Sequence, residues 1–287
     1  MLPIHYHHVD VFSARPFSGN SLAVFIDAGL SAAQMLQVTR ELRHFESIFL
    51  ETTPDPLTVR ARVFDLLEEL PFAGHPVIGA AAVLHGLSGA RAAQTREVQL
   101  PGRTVSITTE PGESGYFGML DQGPPEFLHV VPELDELVSA FSLDSSDLHP
   151  QLPAQVVSTG LRYLVVPVRP GALDKARIRR DLTELLANVG AQFAVLFDEA
   201  AVEIRHWNND GVVEDVATGS AAGCIGAYRC RLGTAAANEP FLLEQGRFAG
   251  RPSQLRVQPE GSPLQIRTIK VGGDVAFVGR GMLEAFP

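Results

Sequence analysis

Glu69-Leu-Pro-Phe-Ala-Gly74-His75-Pro76-Val-Ile-Gly79-Ala-Ala-Ala-Val-Leu84 and Glu214-Asp215-Val-Ala-Thr218-Gly219-Ser220-Ala-Ala-Gly223-Cys224-Ile-Gly226-Ala-Tyr228 are two versions of one pattern. Each has an acidic residue, a short connector, and a glycine opening a run of small residues. Ala and Gly on several faces of a helix leave no polar side for solvent, so each run predicts a helix enclosed by sheet, over Pro76–Leu84 and Ala221–Arg231. The elements upstream match as well. Gly19–Ile26 reads as a strand, Ser31–Leu42 as a helix, Glu46–Leu50 and Leu57–Phe64 as strands. In the second half Leu161–Val168 is a strand, Ala176–Leu186 a helix, Phe193–Phe197 and Val202–Trp207 strands. Arg103–Thr108 is mirrored by Ser253–Val257 and Leu264–Lys270. The offset stays near about 141 residues at Gly19 and Gly160, and about 145 at both glutamates and both helix-opening glycines, which marks an internal repeat.

The fold class that follows is α+β, with two pseudo-symmetric domains, each a mostly antiparallel sheet or barrel wrapped around a central helix. Short alternating strands separated by Pro-Gly and Gly-Gly turns favour antiparallel pairing. The domains are set at 1–125 and 126–287, joined in the Pro-containing stretch Gln122–Pro150, with a place in the first domain left open for the final strand, about 275–287.

Composition narrows the function classes. The 287 residues are 45% hydrophobic and 20% charged, as in a globular protein. A net charge of −10 argues against nucleic acid or an anionic membrane as partner, since both need clustered Lys and Arg. No apolar run reaches a membrane span and the N-terminus lacks a signal-peptide pattern, so a cytoplasmic location is expected. Cys224 and Cys230 have no CxxC spacing and no third ligand nearby. His5, His7 and His8 lie along a strand without an accompanying carboxylate pattern. No metal is expected.

The chemistry is expected at the glycine-opened helix starts. First-turn N–H groups lack intrahelical partners and carry the positive helix end, so Gly74 and Gly219 suit a carboxylate, in a cleft between the two halves. The alternative is plain capping by Thr218 or Ser220. Nucleotide loops do not fit: there is no Lys-Ser/Thr ending and no GxGxxG spacing. Glu46 breaks the symmetry. It opens an apolar strand, and aligning Glu51 with Asp198 puts Phe193 opposite it. Turned into the pocket, Glu46 would have a raised pKa and could give and take protons; turned outward, it is a solvated strand end. His75 and Asp215 are its expected neighbours, and His75 would stay neutral at the positive helix end.

These motifs resemble the phenazine-biosynthesis PhzF-like proteins, within the diaminopimelate epimerase fold. The resemblance rests on His8-Val-Asp-Val-Phe12, Gly19-Asn20-Ser-Leu-Ala-Val24, the strand holding Glu46, both glycine motifs, and Glu244-Gln-Gly-Arg-Phe-Ala-Gly-Arg-Pro-Ser253. It implies two α/β domains, a homodimer, no cofactor, and isomerisation of a small, conjugated carboxylic acid. By motif position Glu46 would be the acid/base. His75 and Asp215 would position substrate amino and hydroxyl groups. Gly74, Gly219 and Ser220 would hold its carboxylate, with Asn20 and Thr218 as further substrate-binding residues. Two departures stand out. Cys224 has no partner cysteine in the first motif, which disfavours two-base racemisation, and Val216 stands where the family has proline, which puts loop rigidity in question. Dehydration or epimerisation on the same fold, and non-catalytic binding of a small acid, are the competing readings.

Overall fold

The computed structural model describes residues 3–285. Residues 286 and 287, which end the expected final strand, lie outside the described residues. The chain forms two compact units. One runs up to Asp121 and takes in the segment from Gly272 onward; the other is Gln122–Val271.

The first unit contains β1 (Ile4–Val11), β2 (Asn20–Ile26), α1 (Ala32–Leu42), β3 (Glu46–Thr52), β4 (Thr58–Phe64), β5 (Glu69–Leu70), α2 (Gly74–Ser88), β6 (Gln94–Gln99), β7 (Thr104–Pro111) and β8 (Gly115–Asp121). The second contains β9 (Glu126–Val130), α3 (Asp135–Ala140), β10 (Gln155–Ser158), β11 (Arg162–Val168), α4 (Ala172–Lys175), α5 (Thr183–Asn188), β12 (Phe193–Asp198), β13 (Glu203–Trp207), β14 (Glu214–Asp215), α6 (Gly219–Leu232), β15 (Phe241–Gln245) and β16 (Ser253–Ser262). The long β17 (Gln265–Leu283) leaves the second unit and ends in the first.

In the first unit the pairing runs β17–β1–β2–β3–β4–β6–β7–β8 and returns to β17, closing a barrel. The pairs are antiparallel except β2–β3 and β4–β6. The second unit repeats the order as β9–β10–β11–β12–β13–β15–β16, and its parallel pairs, β11–β12 and β13–β15, fall at the same places. Each parallel pair needs a crossover, and helices supply all four.

Closure around a helix explains the small residues. Residues Gly74–Val83 of α2 are buried throughout, as are nearly all of Gly219–Cys230 in α6. A Cβ on Gly79 would come within 2.5 Å of Leu22 and 2.9 Å of Val11, and one on Gly226 would strike Val257. Outside the first barrel, α1 covers a second apolar layer in which Phe25 stacks on Phe49 at 4.6 Å. Ser31 and Gln34 form a capping box that starts α1.

One expected element is corrected. The helix over Ala176–Leu186 is two short ones, Ala172–Lys175 and Thr183–Asn188, with an extended link. The link's backbone has better partners than its own turns. Arg177 and Arg179 donate to the carbonyls of Phe141 and Ala140 at the end of α3, and Leu182 donates to Asn209. Helical spacing cannot anticipate partners so distant in sequence.

In the second unit, buried Gln122 donates from Nε2 to the carbonyl of Gly219 (2.9 Å) and accepts at Oε1 from Thr159 (2.8 Å). A Cβ on Gly223 would overlap that Oε1. Gly223→Ala is therefore expected to displace Gln122, leave buried polar groups unpaired and cost about 2–4 kcal/mol, read as a lowered midpoint in urea denaturation.

Candidate active site

In the first unit the candidate residues gather where β3 and α2 both begin. The parallel register sets Glu46 beside Leu22, the residue that packs on Gly79 of α2. Period-two alternation then turns Glu46, Asn20 and Leu22 to the helix side of the sheet, while Phe25 and Phe49 face α1. Glu46 Oε2 lies 3.3 Å from Nδ1 of His75, the second residue of α2. The imidazole is buried and the carboxylate largely so, with 17% of its side chain exposed. Asn20 and Gly74 are buried at the same end of the unit. Glu46 is thus no solvated strand end.

The second unit builds a different set on the same frame. Thr218 is the residue before α6, but its side chain does not cap that helix. Its hydroxyl instead donates to Asp215 Oδ2 at 2.5 Å. Ala73, before α2, has no side-chain cap to offer. Ser220, half-buried, pairs its Oγ with the Tyr163 hydroxyl at 2.9 Å. The capping alternative is therefore not what Thr218 and Ser220 do. Tyr163 packs with Phe193 and His206, at centroid distances of 5.5 and 5.4 Å. Complete burial holds the His206 imidazole below its usual pKa, opposed by the negative charge of Asp215.

Gln245 clamps this loop. Its Oε1 accepts from the Thr218 backbone N–H (2.8 Å), and its Nε2 donates to the Asp215 carbonyl (2.8 Å) and to Thr218 Oγ1 (2.9 Å). Gly246 follows with a positive φ of 87°, pressed so closely on the carbonyl of Val216 that a Cβ would not fit. Side-chain bonds from Gln245 hold the loop that carries Val216.

The two acidic residues that begin the repeated motif are committed to structure. Arg62 forks onto Glu69 (2.8 and 2.5 Å), and Arg205 forks onto Glu214 (2.8 and 2.7 Å). Arg205 also donates to the carbonyls of Leu173 and Ala176, and stacks over Trp207 and Phe248. The bidentate fork fixes each two-stranded turn just before its helix start. Sequence reasoning passed over Arg62, Arg205, Tyr163, Gln122 and Gln245. The arginines could have been found as a further match in the repeat, and Gln245 stands inside a motif already singled out.

Cys224 is buried, with its thiol near the carbonyl of Val157 (3.3 Å) and its pKa pushed by burial up to about 12. Burial also raises Cys230. Neither is poised as a base. Among the described residues no three His, Cys, Asp or Glu side chains are grouped to hold a metal. Among the described residues no helix is long and apolar enough to cross a membrane.

Residues 9–281 match the phenazine biosynthesis-like protein family, PhzC-PhzF. The chain is 32% identical to an uncharacterized isomerase of Pasteurella multocida, over 99% of this chain and 95% of that one. It is 30% identical to the trans-2,3-dihydro-3-hydroxyanthranilate isomerase of Pseudomonas fluorescens, over 97% and 99%. Among solved structures, a predicted epimerase from Pseudomonas aeruginosa superposes with a TM-score of 0.93 at 47% identity, covering 98% of this chain and 99% of that one. A hydroxyproline epimerase from Agrobacterium vitis, 13% identical with a TM-score of 0.67 over 98% of this chain and 92% of that one, shares the fold. The chain belongs to the phenazine biosynthesis-like family. It is an enzyme of the isomerase class.

Two measurements check this geometry. Arg205→Met strands the nearly buried Glu214 carboxylate and is expected to cost about 3–5 kcal/mol in chemical denaturation. Arg62→Met, at the more exposed of the two pairs, is expected to cost about 1 kcal/mol or less. Iodoacetamide at about pH 8 is expected to label neither cysteine in the folded protein and both after unfolding, read by mass spectrometry.

Proposed function

We propose that the chain is a cofactor-independent isomerase of a small carboxylic acid, with Glu46 as its general acid/base. The observation that carries this reading is the 3.3 Å contact between Glu46 and His75 at the opening of α2, in a largely buried setting. A carboxylate held there takes a proton from an acidic C–H of the substrate. Its electron pair moves into the conjugated system, and the protonated Glu46 returns the proton at a nearby carbon, with His75 assisting. No atom is gained or lost, as isomerisation requires. His75 and Asp215 are proposed to position the substrate's polar groups, and Gly74, Asn20, Thr218, Gly219 and Ser220 to bind it.

One base rather than two is supported by the second unit. Phe193 pairs with Tyr163 across the parallel strands just as Glu46 pairs with Leu22, so an aromatic ring stands at the register position of the base. Both thiols are held protonated by burial. Epimerisation by the same base is the second reading, favoured by the 47% identical relative described as a predicted epimerase.

Glu46→Gln is the test. With trans-2,3-dihydro-3-hydroxyanthranilate, the substrate named for the Pseudomonas fluorescens relative, and a panel of small acids, it is expected to lower turnover by about a hundred- to ten-thousand-fold while binding stays nearly unchanged. Wild-type turnover in that variant would remove Glu46 from the mechanism. Running the wild type in deuterium oxide separates the two reactions by product. Isomerisation shifts a double bond, whereas epimerisation returns the same connectivity with an inverted, deuterated centre.

A further inference from the structure

In each unit the second residue of the enclosed helix meets a side chain from a neighbouring strand, but the two contacts differ in strand and in chemistry. In the first unit the second residue of the enclosed helix, His75, is held by Glu46 on β3. In the second unit the matching residue, Ser220, is held by Tyr163 on β11. We propose that Tyr163 is a positioning residue, whose hydroxyl orients that of Ser220 as a hydrogen-bond donor to the substrate. This rests on the assignment of Ser220 to substrate binding made above.

The direction of the bond follows from acidity. A phenol is a stronger proton donor than an aliphatic hydroxyl, so Tyr163 donates and Ser220 Oγ accepts. That leaves the single hydrogen of Ser220 to point away from the ring. A hydroxyl that accepts one bond becomes a better donor in the next, so the chain from phenol to serine to carboxylate strengthens along its length. Tyr163 is 2% exposed, which keeps water from competing for its hydroxyl, whereas Ser220 is only half-buried. The ring is fixed independently of its hydroxyl by Phe193 and His206. A serine left to itself in a first turn rotates among several acceptors. The phenol selects one rotor position before substrate arrives, which is preorganisation.

The arrangement also gives the second unit a task distinct from that of the first. Glu46 and His75 are side chains of the kinds that serve as general acids and bases at neutral pH. Serine and tyrosine hydroxyls hold their protons there, so this pair offers a directed hydrogen bond without removing a proton. A carboxylate gains from such a donor at no risk of proton transfer.

The test is a double-mutant cycle on the full chain, read as binding of anthranilate by calorimetry. Anthranilate is a stable aromatic acid close in size to the substrate named for the Pseudomonas fluorescens relative. Tyr163→Phe keeps the ring stack and is expected to weaken binding by about tenfold, as is Ser220→Ala. The double variant should be no weaker than either single one by more than about threefold, because both changes remove one donor. A merely structural role for Tyr163 predicts effects that multiply to about a hundredfold. That outcome overturns the proposal, as does wild-type affinity in Tyr163→Phe or absence of saturable binding to the wild type. Should Tyr163→Phe fail to fold, Ser220→Thr decides: retained affinity beside the loss in Ser220→Ala supports a donating hydroxyl, and equal loss in both refutes it. Failure here concerns binding alone. Glu46→Gln reads proton transfer, so the two assignments fall separately.

Discussion

The rest of the structure depends on burying a whole helix inside a curl of strands, once in each unit. A helix so enclosed must be narrow, because strand side chains occupy the space that its own would need. Gly79 against Leu22 and Val11, and Gly226 against Val257, show how little is left. The same enclosure fixes what the helix can do. Its sides are filled by packing, so its opening turn is the part left for chemistry. There the backbone N–H groups and the positive helix end are held by the surrounding sheet rather than by a flexible loop. Side chains placed at that opening, from the second helical residue and from the start of a neighbouring strand, are therefore held on rigid elements.

What lay open in the sequence followed from this constraint. The two small-residue runs pointed to enclosed helices, and their near-constant offset exposed the repeat, the matching succession of elements along the chain and the helix starts at Gly74 and Gly219. The pairing of Glu46 with Phe193, drawn from aligning Glu51 with Asp198, agrees with the strand registers. The contacts that complete the site were not legible, because they join residues far apart in the chain. Tyr163 meets Ser220 across 57 positions and Gln122 meets Gly219 across 97. Hydrophobic period carries no sign of such partners. The link after α4 shows the same limit, since Arg177 and Arg179 are drawn out of a helical pattern by carbonyls at the end of α3.

The repeat also separates residues kept for folding from those free to diverge. Each unit needs its β-turn fixed before the enclosed helix begins, and each meets that need with an arginine fork on a glutamate. These glutamates are the acidic residues most prominent in the motif, yet two strong hydrogen bonds to a guanidinium leave each poorly placed to accept a proton. Prominence in the pattern thus marks structural duty. The proton-handling group is to be sought where the two copies differ.

They differ at the register position of Glu46 and Phe193 and at the second helical residue, His75 and Ser220. Both differences run the same way. The first unit has a carboxylate against an imidazole, two groups that act readily in general acid/base exchange. The second has an aromatic ring and a serine tied to a phenol, which do not. A fold that encloses two helix openings alike could have carried two equivalent bases, one to remove a proton from one face and the other to deliver a proton to the opposite face. With Phe193 at the matching position, the mechanism proposed for Glu46 leaves a single group to take the proton and to return it. For a reaction that moves one proton between two carbons of the same molecule, one base suffices. A second carboxylate in the other unit would then add only like-charge repulsion toward an anionic substrate.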